Sequence, residues 1–200
     1  MSAVSLALVA LLPAAVSAAP APARVAQDDS GSPPPDSNPL VAPTALDPCQ
    51  VVTSDEASAL SGATYSAGTE STTQDGGKLC VYGAQTTNVF MVLVAQAPDA
   101  DTAQAEWAQE QAQVQSVIQN GLPGGVSINL NVTDLTLDGF DQAAIAQGSR
   151  PTPAGTINGS ACYLLKGPTF VAFSNVLLNN PAPSSDALQS QAQTVLGRLP

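Results

Sequence analysis

The 200-residue chain has no histidine, five Lys and Arg together, three Cys and only 4% aromatic residues. Each shortage removes a class of chemistry. Without histidine there is no side chain that ordinarily titrates near neutrality, which argues against a Ser-His-Asp triad. A Ser-Lys dyad has to draw on Lys78 or Lys166, and both sit beside glycines in expected turns, where a solvated lysine is the simpler reading. The three cysteines, Cys49, Cys80 and Cys162, contain no Cys-x-x-Cys pair, which argues against redox catalysis. Scattered thiols without histidine also make a poor zinc site. The basic residues from Leu46 onward are Lys78, Arg150, Lys166 and Arg198, against thirteen acidic ones. No basic cluster exists for phosphate contacts, so nucleic acid is not an expected partner and an anionic membrane surface is disfavoured. The aromatics Tyr65, Tyr82, Phe90, Trp107 and Tyr163 are too scattered in sequence to define a stacking platform.

What is present begins with an address. Ala3 to Leu12 is an apolar run of signal-sequence length, broken by Pro13 and thus too short for a spanning helix of roughly 20 residues. Val16-Ser17-Ala18 supplies the small residues of a cleavage site, so residues 1–18 are expected to be a signal peptide cut after Ala18. No Lys or Arg precedes the run, and an uncleaved N-terminal anchor is the alternative. Residues 19–45 are rich in Pro, Ser and Asp and poor in large apolar side chains. They are expected to be a disordered, partly polyproline-II spacer. No Cys precedes Cys49, so release without a lipid anchor is expected, with no stable membrane insertion after signal cleavage. Residues 46–200 then make a single domain of ordinary size.

An oxidising compartment changes the reading of the cysteines. Cys49 opens the domain next to Pro48, and Cys80 starts the apolar run Cys80-Val81-Tyr82. A Cys49–Cys80 bridge is expected, tying the first helix to the first sheet strands. Closing a loop of about thirty residues contributes roughly 3–4 kcal/mol. Cys162 lies inside Ala161-Cys162-Tyr163-Leu164-Leu165 and reads as a buried small hydrophobe, with an intermolecular partner as the alternative.

Periodicity sets the elements. Thr53-Ser54-Asp55-Glu56 is a capping box that starts a short helix ending at Gly62. Ala63 to Thr73 alternates weakly, Asp75-Gly76-Gly77 signals a turn, and Leu79 to Ala84 follows as a strand. Asn88 to Ala97 is the most apolar strand and is expected to be central. A long helix runs from Pro98-Asp99 to about Asn120, stopped by Gly121, with Ala103, Trp107, Gln111, Val114 and Ile118 on one face. Val126 to Leu137 and Gln142 to Gln147 read as strands, and Gly159–Lys166 with Thr169–Leu178 as a hairpin around Gly167-Pro168. Ser184 caps a last helix with Leu188, Ala192, Val195 and Leu199 on one side. The expected fold class is α+β: an antiparallel sheet of about seven strands with three helices packed on one face.

Leu46-Asp47-Pro48-Cys49, Thr53-Ser54-Asp55-Glu56-Ala57, Leu60-Ser61-Gly62 and Leu79-Cys80-Val81-Tyr82 together resemble an uncharacterised family. Its members are small actinobacterial secreted proteins and lipoproteins with a domain of unknown function. Gly139-Phe140-Asp141-Gln142-Ala143-Ala144, Lys166-Gly167 and Arg198-Leu199-Pro200 are similar to its later part. Members often carry a lipobox Cys, which this chain does not. The resemblance implies the Cys49–Cys80 bridge and an α+β fold, and it implies no activity.

The remaining motifs point to bland roles. Glu106 and Glu110 share a helix face and could pair as glycosidase carboxylates, but a solvated face explains them better. Asp134, Asp138 and Asp141 gather near Gly139, yet their spacing departs from a calcium loop. No catalytic, metal or cofactor residues are assigned. The expected function is a secreted, non-catalytic extracytoplasmic module that binds an envelope protein or a small apolar ligand. The alternative is an extracellular enzyme of unrecognised chemistry, which a pocket with converging polar groups would favour.

Overall fold

In a computed structural model, which describes residues 46–73, 76–120 and 129–200, the first element forms at Asp47-Pro48. The expected signal peptide 1–18, the spacer 19–45, Asp75, the helix stop at Gly121 and the start of the strand expected from Val126 lie outside these residues. Pro48 occupies the first position of helix α1 (Pro48–Val51), where its missing N–H costs nothing, and the Asp47 side chain accepts from the Cys49 N–H at 2.8 Å. Helix α2 (Ser54–Ser61) carries the expected capping box between Thr53 and Glu56. It ends at Gly62, whose φ of 65° lies in the left-handed region that glycine adopts without strain.

The strands are β1 (Thr69–Thr72), β2 (Lys78–Tyr82), β3 (Val89–Gln96), β4 (Asn129–Leu135), β5 (Gln142–Thr152), β6 (Gly155–Lys166) and β7 (Thr169–Leu178). Helix α3 (Ala100–Asn120) joins β3 to β4, and α4 (Ser185–Leu196) follows β7. Among the described residues these strands form one antiparallel sheet in the order β1-β2-β3-β7-β6-β5-β4. The α+β class and the antiparallel sheet are as expected; β3, expected to be central, is an interior strand next to β7, which holds the middle place. The strand expected over Ala63 to Thr73 contracts to Thr69–Thr72, which is wholly exposed at the sheet edge. The strand expected over Gln142 to Gln147 continues to Thr152, because its partner β6 pairs with it down to Gly155.

The helices do not all pack on one face, as the sequence had suggested. Helices α1, α2 and α4 cover a face built on Cys80, Tyr82, Phe90, Val92, Cys162, Leu164, Val171 and Phe173. Helix α3 covers the opposite face, built on Leu93, Tyr163, Leu165, Phe170 and Ala172. The physical reason lies in β6 and β7, whose burial is continuous and not alternating. Such strands need cover on both sides. Ile118, expected on the apolar stripe of α3, is 40% exposed, because it lies one turn beyond the last buried residue described on that stripe, Val114.

The Cys49–Cys80 bridge is present, with Cα atoms 5.3 Å apart and a sequence separation of 31. It pins α1 to the middle of β2. Gly68 passes directly over it, and a Cβ there would overlap Cys80 Sγ and the Tyr82 ring. The Tyr82 hydroxyl donates to the Val52 carbonyl at 2.7 Å, a second tie between the same elements. Cys162 is free and fully buried under α4, and burial pushes its thiol up to about 12. That is the environment of a packed hydrophobe, and a disulfide to another chain would require the core to open.

The end of the chain is also held. Arg198 Nη1 and Nη2 each donate to a Glu56 carboxylate oxygen at 2.7 Å, and Nη1 also donates to the Val51 carbonyl at 2.7 Å. The Arg198 hydrogen bonds, ahead of those from Thr53, hold Glu56 at about 2, against 4.5 for an unperturbed Glu. A depressed folded-state pKa contributes stability that is complete above the unfolded value and is lost as pH falls through the folded one. Both groups are partly exposed, so screening reduces the contribution to about 1–2 kcal/mol. We expect Arg198→Ala to lower the unfolding free energy by that amount at neutral pH and by clearly less near pH 2, where Glu56 is half protonated. Urea unfolding at the two pH values checks this, and an equal loss at both would assign the effect to packing.

Candidate functional site: a pocket beneath helix α3

The face under α3 is lined by small side chains. One row across the sheet reads Asp134, Ala144, Tyr163, Ala172 and Leu93 from β4 through β5, β6 and β7 to β3. The next row on that face brings Val132, Ala146 and Ala161 together. Tyr163 is thus flanked by alanine on both neighbouring strands. Alanine methyls cannot fill the space between a sheet and a helix packed roughly 10 Å above it. Helix α3 drops Trp107 and Val114 into that space, and a cavity of about 120 Å³ remains.

The cavity is apolar at its floor, with Val132, Ala144, Ala146 and Phe170, and polar at a few points. Glu110 projects from α3 into the lining, half-buried, and burial raises its carboxyl above the usual range. Tyr163 is only 8% exposed; its hydroxyl is buried and has no hydrogen-bond partner among the described residues. Burial, then the charge of Glu110, pushes that hydroxyl further from ionisation. Trp107 is also 8% exposed, and its indole N–H has no partner among the described residues either. Two residues of one lining that each carry an orphaned polar atom are unusual, because buried polar groups are normally satisfied. At the mouth, Gln111 Nε2 donates to Asp134 Oδ1 at 2.9 Å and spans the gap from α3 to β4. The arrangement offers an apolar floor, an indole donor, a hydroxyl that can donate or accept, and a carboxyl.

Glu106 and Glu110, which share a helix face in the sequence reading, part company here. Glu106 is exposed, while Glu110 joins the cavity. Asp134, Asp138 and Asp141 do not act together: Asp134 pairs with Gln111, and Asp141 Oδ2 accepts from the Gly167 N–H at 2.6 Å, tying the turn before β5 to the β6–β7 hairpin. Lys166 donates to the Pro200 carbonyl at 2.7 Å and secures the tail. Sequence reasoning did not find Glu110, Tyr163 and Phe170 as a group. A signal for Glu110 was available: it sits three residues after Trp107 and four before Val114, inside the same helical stripe. For Tyr163 and Phe170 there was none, since only the sheet register brings them under α3.

No protein-family model matches the chain, and no curated protein sequence matches it. Among the described residues, no helix is long and apolar enough to cross a membrane.

Proposed function

We propose that the protein is a secreted, non-catalytic extracytoplasmic module that holds a small, largely apolar ligand in the cavity beneath α3. The observation that carries this reading is one apolar cavity lined by two residues, Trp107 and Tyr163, that each hold a buried polar atom without a partner among the described residues. A ligand that offers them hydrogen bonds removes a desolvation penalty of about 1–3 kcal/mol for each. The Cys49–Cys80 bridge supports work outside the cytoplasm, where such bonds persist. The signal-like run at Ala3 to Leu12 and the cleavage motif at Ala18 support the same location. On its Asp47-Pro48-Cys49 and Leu79-Cys80-Val81-Tyr82 motifs we also group it with the small secreted actinobacterial proteins it resembles.

The alternative, an extracellular enzyme, is favoured by one observation: a half-buried carboxyl with a raised pKa, Glu110, faces the same cavity as Tyr163. Binding is the better reading, because the Tyr163 hydroxyl is held away from ionisation and, among the described residues, the cavity lining includes no Ser, Thr, Cys or Lys nucleophile.

Trp107 is the only tryptophan in the chain, so its emission reports on the cavity alone. N-phenyl-1-naphthylamine, a neutral apolar dye that absorbs where tryptophan emits, is the probe. Saturable energy transfer from Trp107 to the dye is expected. Absence of transfer up to the solubility limit of the dye would overturn the reading.

A further inference from the structure

The charge and the rings of the cavity narrow the ligand. Among the described residues its lining includes two carboxyl groups, Glu110 and Asp134, and no Lys or Arg. Its aromatic rings lie in a chain: Trp107 and Phe170 have centroids 6.2 Å apart at 60°, and Phe170 and Tyr163 6.4 Å apart at 33°. Rings tilted in this way present faces in more than one direction, and each face carries negative potential. The Tyr163 oxygen adds a lone pair without a donor, and the Trp107 N–H asks for an acceptor. An anion would meet repulsion from both carboxylates. A plain hydrocarbon would leave both orphaned atoms unpaired and Glu110 without a counter-charge.

Resting on the ligand-binding reading above, we propose that the cavity takes a small organic cation, an ammonium that also carries a hydroxyl or carbonyl oxygen. The cationic head sits against the Glu110 carboxylate and the ring faces of Trp107, Tyr163 and Phe170. The ligand's oxygen accepts from the Trp107 indole N–H. The raised pKa of Glu110 is consistent with a carboxyl buried beside no cation of its own, which a bound ammonium supplies. Asp134, exposed at the mouth and already bonded to Gln111, contributes long-range attraction more than contact.

Choline and its neutral isostere 3,3-dimethyl-1-butanol share a shape and a hydroxyl and differ in the charge. Both are titrated against the full chain by Trp107 emission and by displacement of N-phenyl-1-naphthylamine. Choline is expected to bind about tenfold more tightly than the alcohol. That preference is expected to collapse in Glu110→Gln, whose urea midpoint reports that the fold is kept. Asp134→Asn is expected to shrink it by about twofold, and less in high salt. Equal affinities in the wild type, or a preference undiminished in a folded Glu110→Gln, would overturn the cation proposal while dye binding leaves the pocket standing. If the dye also fails to bind the wild type, both readings fall together.

Discussion

Removing the disulfide is expected to cost about 3–4 kcal/mol. The bridge closes a loop of 31 residues in sequence separation, between α1 and the centre of β2. Without it the unfolded chain regains the freedom of that whole loop. The folded state keeps other ties between the same elements, notably the Tyr82 hydroxyl on the Val52 and Cys49 carbonyls at 2.7 and 3.1 Å. The fold should therefore survive at reduced stability, with α1 and β1 the first parts to open. Urea unfolding of the Cys49→Ala/Cys80→Ala double variant checks the magnitude. Amide exchange checks the location, because loss of protection should concentrate in residues 48–72 and spare β6 and β7. A loss below about 1 kcal/mol would mean that the unfolded chain is already restrained near this loop. Cys162 is the one cysteine left in that variant, so no disulfide within the chain can replace the lost bridge, and burial of its thiol opposes pairing between chains.

Filling the cavity is expected to abolish binding without unfolding the protein. Ala144 stands between Asp134 and Tyr163 on the face under α3 and lines the cavity. In Ala144→Leu the added isopropyl group takes space that is empty, so overpacking strain is small. Stability should stay within about 1 kcal/mol of the wild type, because buried apolar area offsets the strain. Energy transfer from Trp107 to N-phenyl-1-naphthylamine should disappear, and the choline response with it. Retained dye binding in a folded Ala144→Leu variant would move the ligand site away from this cavity. The matching change on the other face, Ala143→Leu, sits in the closed core beneath α4, where added volume has nowhere to go. It should cost about 1–3 kcal/mol and leave the dye signal in place. The contrast between neighbouring alanines on opposite faces separates a pocket from a packed core.

Particular residues show where sequence was legible. The capping box at Thr53 and Glu56, the stop at Gly62 and the N-cap at Ser184 appear where local patterns put them, because each is a contact within three or four residues. The apolar strands β3, β6 and β7 were equally plain. The two-sided cover of the sheet was present in the sequence but not drawn from it: Tyr163 with Cys162, and Phe170 with Val171, are adjacent apolar pairs, and adjacent residues of a strand face opposite sides. The pocket was beyond the sequence in principle. It exists because register aligns Ala144, Tyr163 and Ala172 in one row and because α3 crosses over that row.

The opening shortages keep their force with a narrower meaning. Lack of histidine and sparse basic charge are readable from the sequence alone and make triads and nucleic acid the less expected readings, since those chemistries need particular side chains whatever the fold. The spacing of Cys49 and Cys80, with the export-like run before them, was enough to expect a bridge, because a compartment acts on composition. What the cavity contains was decided only by tertiary structure. Glu110 reads as a solvated helix residue until α3 lies on the sheet, and Tyr163 reads as core until its neighbours turn out to be alanines. Long-range pairing, not local pattern, put Glu110, Tyr163 and Trp107 around one empty volume.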